Sequence, residues 1–102
     1  MFCLENQNQK SYVYMLTNYW GNVLYIGSTE DLKTRLYQHK KGLIPGFTEK
    51  YKCNKLVYFE EHASLESAQT REKYLKGKTR IKKNAVVEVM NPAWNDLSNK
   101  VA

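Results

Sequence analysis

The sequence predicts an α+β fold, with a small three-stranded, mainly antiparallel sheet flanked by about three helices. Three short segments are rich in aromatic and β-branched side chains, which favours strands. Three longer segments are bounded by helix-capping residues, glycine or proline, which favours helices. The order of the segments is strand, strand, helix, strand, helix, helix, and 102 residues suffice for one such domain.

The first two strands are predicted to form an antiparallel hairpin. Residues 11–17 and 23–27 have the composition of strands, and turn-forming residues at 18–22 lie between them. The third predicted strand, at 55–60, follows a loop at 42–54 that contains two glycines and a proline.

The helix boundaries are predicted from capping residues and breakers. The first helix is expected to be capped by Ser28 or Thr29 and to end before Gly42. Ser64 is the expected cap of the second helix, and the proline at position 92 ends the third. The predicted helices cover about residues 30–41, 65–76 and 80–90.

One folded domain is predicted at residues 11–97, with a loose lead-in at 1–10 and a short tail at 98–102. Neither Cys3 nor Cys53 belongs to a metal-binding or disulfide-rich spacing, so a reducing compartment is expected. The N-terminus has no apolar signal-peptide region, and no apolar run is long enough to span a bilayer. The expected location is therefore the cytoplasm, and no membrane partner is expected.

The chain is basic, with 16 Lys and Arg against 10 Asp and Glu and a net charge of +6. A basic domain favours polyanionic partners such as nucleic acid, and the alternative is an ordinary solvated basic surface. Lys33 in the first helix and the many lysines and arginines of the later helices could follow a nucleic-acid backbone.

Ionisable side chains occupy helix positions that should be apolar. Positions 32, 35, 36 and 39 share one face of the first helix, and two of them are Arg35 and His39. Glu72 interrupts the apolar stripe of the second helix in the same way. Buried charges are costly unless they are paired or bound to a metal. The stripes therefore predict either an Arg–Glu ion pair between helices or a shared polar site.

The tyrosines of the hairpin are a second unusual feature. Tyr12 and Tyr14 share one face of the first strand, and Tyr14 and Tyr25 are candidate cross-strand neighbours. The ordinary explanation is aromatic packing, but a phenol can also bind a phosphate or relay a proton if Arg35 lowers its pKa. Gly27 is either a routine turn residue or an opening through which a phosphate approaches the backbone.

These residues resemble the paired signature of the GIY-YIG nucleases, in particular their short stand-alone bacterial members. The first motif is Tyr12-Val13-Tyr14, and Tyr25-Ile26-Gly27 follows it in the second strand. The later matching motifs are Leu32-x-x-Arg35-Leu36-x-x-His39, Arg71-Glu72 and the segment 91–97, so the resemblance covers residues 11–97. The first motif departs from the namesake triplet, because Tyr12 replaces its glycine and Val13 its isoleucine.

The resemblance implies a metal-dependent endonuclease that hydrolyses phosphodiester bonds in nucleic acid. One divalent ion is expected, Mg²⁺ or alternatively Mn²⁺, and a single carboxylate suits Mg²⁺ because that ion keeps most of its water. Either Tyr14 or His39 could be the general base. The implied roles are Tyr14, Tyr25, Arg35 and His39 as catalytic residues and Glu72 as metal ligand, with Asn91 as a looser match to a substrate-binding residue. Gly27 and Lys33 are expected to bind substrate because of the glycine's turn position and the lysine's charge.

The expected partner is nucleic acid, with DNA favoured over RNA and structure favoured over base sequence as the selected feature. No attached DNA-binding domain is recognised in the sequence, so a protein partner could supply specificity. The alternative hypothesis is a non-catalytic nucleic-acid-binding module on the same fold.

Overall fold

The computed structural model describes residues 10–101 and contains the predicted three-stranded antiparallel sheet. The central strand β1 (Ser11–Thr17) lies between β2 (Leu24–Thr29) and β3 (Lys55–His62). The hairpin of β1 and β2 is the predicted one. Within the described residues β2 pairs only with β1, so one edge of β2 is left without a neighbouring strand.

Four helices within residues 10–101 accompany the sheet, which confirms the predicted α+β class. They are α1 (Leu32–Lys40), α2 (Phe47–Lys50), α3 (Leu65–Lys76) and α4 (Arg80–Met90), and a 3-10 turn follows at Ser98–Lys100. The segment 42–54 was predicted as a loop, but it contains α2. A helix of a single turn carries too few residues to show a 3.6-residue periodicity, so the sequence pattern missed it.

The predicted cap of α1 was wrong. Asp31 is the N-cap, and its carboxylate accepts a hydrogen bond from a backbone N–H of the first turn. Ser28 and Thr29 instead extend β2, which is longer than predicted. Ser64 caps α3 in the predicted manner, through its hydroxyl oxygen.

Two cores lie on the two faces of the sheet, because successive side chains of a strand point to opposite sides. α3 and α4 cover the face that carries Val13, Met15 and Ile26. α1 covers the opposite face, which carries Tyr14 and Leu16. The two faces meet at the free edge of β2, the strand that carries Tyr25 and Gly27.

The expectations for the cysteines and the two chain ends can be compared with the structure only within residues 10–101. Cys53 is buried in the core beneath α1 and forms no disulfide within the described residues. Cys3, residues 1–9 of the expected lead-in and Ala102 of the expected tail lie outside the described residues. No helix in the described part of the chain is long and apolar enough to cross a membrane.

Candidate active site

Tyr14, Tyr25 and His39 form a triangle of rings on the α1 face of the sheet. The ring centroids are 6.2 Å apart for the two tyrosines, 5.8 Å for Tyr14 and His39, and 5.7 Å for Tyr25 and His39. The hairpin register pairs Tyr14 with Gly27 and Tyr25 with Leu16. The two tyrosines are therefore cross-strand neighbours on one face, in a diagonal arrangement.

A chain of hydrogen bonds links three buried side chains. The Tyr14 hydroxyl lies 3.1 Å from Nε2 of His39, and Nδ1 of His39 lies 3.1 Å from Oγ1 of Thr48. Burial and the charge of Arg35 lower the pKa of His39 to about 4, so its imidazole is neutral at pH 7. With its proton on Nδ1, a neutral His39 donates to Thr48 and accepts from Tyr14.

The Tyr14 phenol is harder to ionise than an exposed tyrosine. Burial raises the pKa of Tyr14 well above its ordinary value, and the neighbouring Tyr25 raises it further. Arg35 acts in the opposite direction, but its effect is the smaller one. The expectation that Arg35 lowers the pKa of a site tyrosine below its usual value is therefore wrong for Tyr14 in this structure.

Arg35 brings a positive charge to this cluster without a carboxylate partner. It is half-buried on the inner stripe of α1, and its charge acts on both Tyr14 and His39. Within residues 10–101 its guanidinium forms no ion pair. The alternative of an Arg35–Glu72 ion pair is wrong, because Glu72 pairs with Lys76. An arginine in this position is available to an anion, and its planar fork suits phosphate oxygens.

Gly27 provides space for the tyrosines. A Cβ atom added at this buried position would lie 2.7 Å from Oη and 2.8 Å from Cζ of Tyr14, and 2.9 Å from Cε2 of Tyr25. The missing side chain therefore admits these rings, which corrects our expectation that it serves as an opening for a phosphate.

Gly27→Ala should lower the free energy of unfolding by about 1–3 kcal/mol, because the added methyl group overpacks a buried ring that cannot move freely. Chemical denaturation measures the change. Gly77→Ala is the matched control, since a Cβ there meets its nearest atom, the Tyr74 carbonyl oxygen, at 3.6 Å. Equal stability of the Gly27 variant and wild type would mean that Tyr14 is not held against this backbone.

Glu72 approaches β2 from the other face of the sheet. One carboxylate oxygen accepts a 2.5 Å hydrogen bond from the Ser28 hydroxyl, and the other lies 2.6 Å from Nζ of Lys76. Ser28 directly follows Gly27, so the carboxylate and the tyrosine–histidine cluster flank the same short piece of β2. A cavity of about 300 Å³ at this edge is lined by residues from both faces, namely Leu24, Tyr25, Ile26, Phe47, Lys76 and Lys83.

Glu72 is compatible with a metal ion that needs few protein ligands. Among the described residues, no three Asp, Glu, His or Cys side chains are grouped as a metal cage. Mg²⁺ is commonly held by one or two carboxylates and retains several water molecules. The Glu72 side chain is 20% exposed and that of Lys76 is 52% exposed, so the lysine can move away when a cation binds the carboxylate.

Two predicted substrate-binding residues lie apart from this cluster. Asn91 is buried at the end of α4, donates to a carbonyl of β3 and bonds twice with the backbone of Asn95. Its side-chain amide links the end of α4 to β3, the strand at the opposite edge of the sheet from β2. This position does not support a substrate contact. Lys33 is exposed on α1 and lines a separate pocket together with Glu30 and Glu61.

Thr48 and Ser28 are polar residues of the site that the sequence pattern did not reveal. Thr48 was assigned to a loop, and no periodicity marks it as buried. Ser28 was assigned to a helix cap, although its place next to the Gly27 motif was a usable signal. Both residues hold a charged or titratable neighbour through one hydrogen bond.

Comparison with known proteins finds similar proteins of the UPF0213 group. A UPF0213 protein of Streptococcus sanguinis is 37% identical over 79 residues, which are 78% of this chain and 90% of that protein. A UPF0213 protein of Clostridium perfringens is 38% identical over 73 residues, covering 72% of this chain and 77% of that protein. The solution NMR structure of a UPF0213 protein from Bacillus halodurans aligns with a TM-score of 0.55 and 28% identity, over 85% of this chain and 92% of that one.

The family match covers the elements that build the site. The model of the GIY-YIG catalytic domain matches residues 10–84, which include the hairpin, α1 and α3. This range contains the two tyrosine motifs, the arginine helix and the glutamate, as the resemblance in the sequence predicted. The chain therefore belongs to the GIY-YIG family, whose catalytic domain implies a nuclease-type activity.

Proposed function

We propose that this protein is a metal-dependent endonuclease that hydrolyses phosphodiester bonds in nucleic acid, with DNA as its main substrate. The observation that carries the proposal is Arg35, a half-buried cation without a carboxylate partner in the described chain, beside the neutral Tyr14–His39 pair. A phosphodiester is an anion that such an arginine can bind, and its cleavage requires a proton acceptor nearby. Membership of the GIY-YIG family supports the same reaction class.

Tyr14 and His39 would act as one proton-accepting unit. A buried phenol does not ionise by itself, so Tyr14 can take a proton from the attacking water only if it passes its own proton on. Nε2 of His39 is hydrogen-bonded to the Tyr14 hydroxyl, and the imidazole is neutral at pH 7. The proposed tautomer carries its proton on Nδ1, which leaves Nε2 as the acceptor. In this tautomer the Thr48 hydroxyl oxygen accepts the hydrogen bond from Nδ1–H of His39. In this scheme Tyr14 contacts the water, and His39 receives the proton.

Arg35 would stabilise the charge that develops on the phosphate during attack. Its guanidinium offers parallel N–H donors to two non-bridging oxygens, in a half-buried position where electrostatic interactions are stronger than in water. Tyr25 completes the phosphate site in this proposal, because its ring lies between the Tyr14–His39 pair and the open cavity at the edge of β2.

Glu72 is the residue that would hold the divalent ion, Mg²⁺ or Mn²⁺. Such an ion supplies positive charge for the leaving oxygen. Ser28 orients the carboxylate by a hydrogen bond, and Lys76 neutralises it in the metal-free protein. No three Asp, Glu, His or Cys side chains are grouped in the described residues, so the scheme assigns the ion to this one carboxylate and to water.

Structure rather than base sequence is the proposed basis of substrate selection. Lys76 and Lys83 line the cavity at the edge of β2, and contacts to phosphates carry no sequence information. Lys33 is exposed on α1 and could add a further phosphate contact outside the cavity. The cytoplasmic location and a specificity-giving protein partner, both expected from the sequence, belong to this proposal.

A cleavage assay tests the proposal. The protein is incubated with flap, fork, single-stranded and duplex DNA of one sequence, with Mg²⁺, with Mn²⁺ and with a chelator. We expect cleavage that requires the metal, favours the branched or single-stranded forms, and persists when the sequence is scrambled. A parallel series with RNA of the same sequence decides whether DNA is the preferred substrate.

The alternative is a non-catalytic nucleic-acid-binding module. One observation favours it, since Lys76 already occupies the Glu72 carboxylate. The same assay separates the two functions when binding is measured alongside cleavage. Tight, salt-dependent binding without cleavage of any substrate under any metal condition would establish the binding module and reject the endonuclease.

A further inference from the structure

Two exposed aromatic residues, Phe47 and Tyr51, extend a row of contacting rings from Tyr25 in the proposed phosphate site. The rings of Tyr25 and Phe47 are stacked, with centroids 6.2 Å apart and planes inclined by 30°. Phe47 in turn packs on Tyr51, with centroids 4.8 Å apart. Phe47 is 47% exposed and Tyr51 is 41% exposed. The three rings, which we call the aromatic ladder, lead from the catalytic cluster to the surface.

The short helix α2 holds this ladder in place. Thr48 points inward to His39, and its carbonyl accepts a 2.9 Å hydrogen bond from the backbone N–H of Cys53. Because Thr48 is anchored in the interior, its neighbour Phe47 is directed outward beside Tyr25. Gly46 is the N-cap residue of α2 and has a φ of 110°, a conformation that favours glycine. The anchored Thr48 and the conformation of Gly46 therefore determine the exposed position of Phe47.

The surroundings of the ladder combine aromatic faces with positive charge. Tyr25 and Phe47 line the cavity at the edge of β2 together with Lys76 and Lys83. The ammonium group of Lys50 lies 5.3 Å from the centre of the Tyr51 ring. Flat apolar faces next to ammonium groups match the two chemical parts of a nucleotide, its base and its phosphate.

We propose that the aromatic ladder is a base-stacking subsite, in which Phe47 stacks on an unpaired nucleobase next to the phosphate bound by Arg35. The inference rests on the proposed function, because Tyr25 is taken to contact both the phosphate site and the base-stacking subsite. An aromatic ring accepts any base, so this subsite selects for an unpaired base and not for a sequence. Bases inside a duplex stack on each other and leave no face for Phe47, so the favoured substrate is a single strand or a frayed end.

Binding of DNA labelled with 2-aminopurine tests this subsite without any cleavage. The base analogue is placed at successive positions of a single strand and of a matched duplex, and a chelator is present throughout. We expect quenching of its fluorescence at one or two single-strand positions. Phe47→Ala should abolish this quenching and weaken single-strand binding about 5- to 100-fold, with little change for the duplex.

Tyr37→Ala is the matched control, because Tyr37 is an exposed aromatic residue with Lys41 at 5.8 Å from its ring centre but lies outside the ladder. Phe47→Trp should retain both quenching and affinity, whereas Phe47→Leu keeps apolar bulk and should lose most of the quenching. Circular dichroism verifies that each variant is folded, and Tyr51→Ala, with a smaller expected loss, provides a second test of the ladder.

The outcomes separate this subsite from the proposed function. Unchanged quenching and affinity in both Phe47→Ala and Tyr51→Ala, or equal losses on single strand and duplex, would overturn the base-stacking subsite even if metal-dependent cleavage is found. Conversely, position-specific quenching that depends on Phe47 would support the subsite even if no substrate were cleaved, and the failure would then belong to the proposed catalytic function.

Discussion

Replacing Arg35 by lysine should lower the rate of cleavage about 10²- to 10³-fold and leave the fold intact, in the range expected for loss of one preorganised transition-state donor. Lysine keeps the positive charge but presents a single ammonium in place of the planar fork, so it cannot donate two parallel hydrogen bonds to the phosphate. The charge that lowers the pKa of His39 is retained. Arg35→Lys therefore tests geometry without removing the electrostatic environment of the site. Single-turnover kinetics at saturating DNA measure the effect.

Arg80→Lys provides the control for this substitution. Arg80 donates to the backbone carbonyls of Gly21 and Asn22, so it holds the turn between β1 and β2 and takes no part in the proposed chemistry. Its variant should cleave within a few-fold of wild type. If Arg35→Lys also stays within a few-fold, the guanidinium fork contributes nothing to the reaction and Arg35 is a packing residue.

The predictable part of this protein is the part that local pattern determines. The strands follow from their aromatic and β-branched composition, and the three longer helices follow from breakers and from capping residues such as Ser64. The polar residues on apolar stripes were also informative, because Arg35 and His39 do face the same interior as Tyr14. A charge on a buried stripe is costly in any fold, so its presence in the sequence indicates a site before the site is seen.

The unpredicted part depends on contacts between different structural elements. The hydrogen bond between Thr48 and His39 joins α2 to α1, and it exists only in the folded chain. Asn91 was predicted to bind substrate, but its side-chain amide donates to a backbone carbonyl of β3. The pKa of Tyr14 illustrates the same limit. The sequence places a cation near this phenol, but burial outweighs the cation, and the depth of burial is known only from the assembled fold.

Replacing Glu72 by glutamine should have the largest effect, a loss of cleavage of about 10³-fold or more, since a bound metal contributes several kcal/mol of charge stabilisation. Glutamine has the same shape and its amide oxygen can still accept the hydrogen bond of Ser28, so the packing of α3 on β2 should be kept. Removal of the carboxylate also leaves the positive charge of Lys76 without its ion-pair partner. DNA affinity should therefore be unchanged or slightly higher while cleavage is lost.

Binding of Mn²⁺, followed by electron paramagnetic resonance, separates a metal ligand from a merely structural carboxylate. Wild type should bind the ion and Glu72→Gln should not. Glu66 is an exposed residue about one and two-thirds turns earlier on α3, and Glu66→Gln should bind and cleave as wild type does. The combination that would remove Glu72 from the mechanism is full cleavage by Glu72→Gln at low Mg²⁺. Lost cleavage with unchanged Mn²⁺ binding would instead place the metal elsewhere and leave Glu72 as the residue that orients Ser28 and Lys76 at the edge of β2.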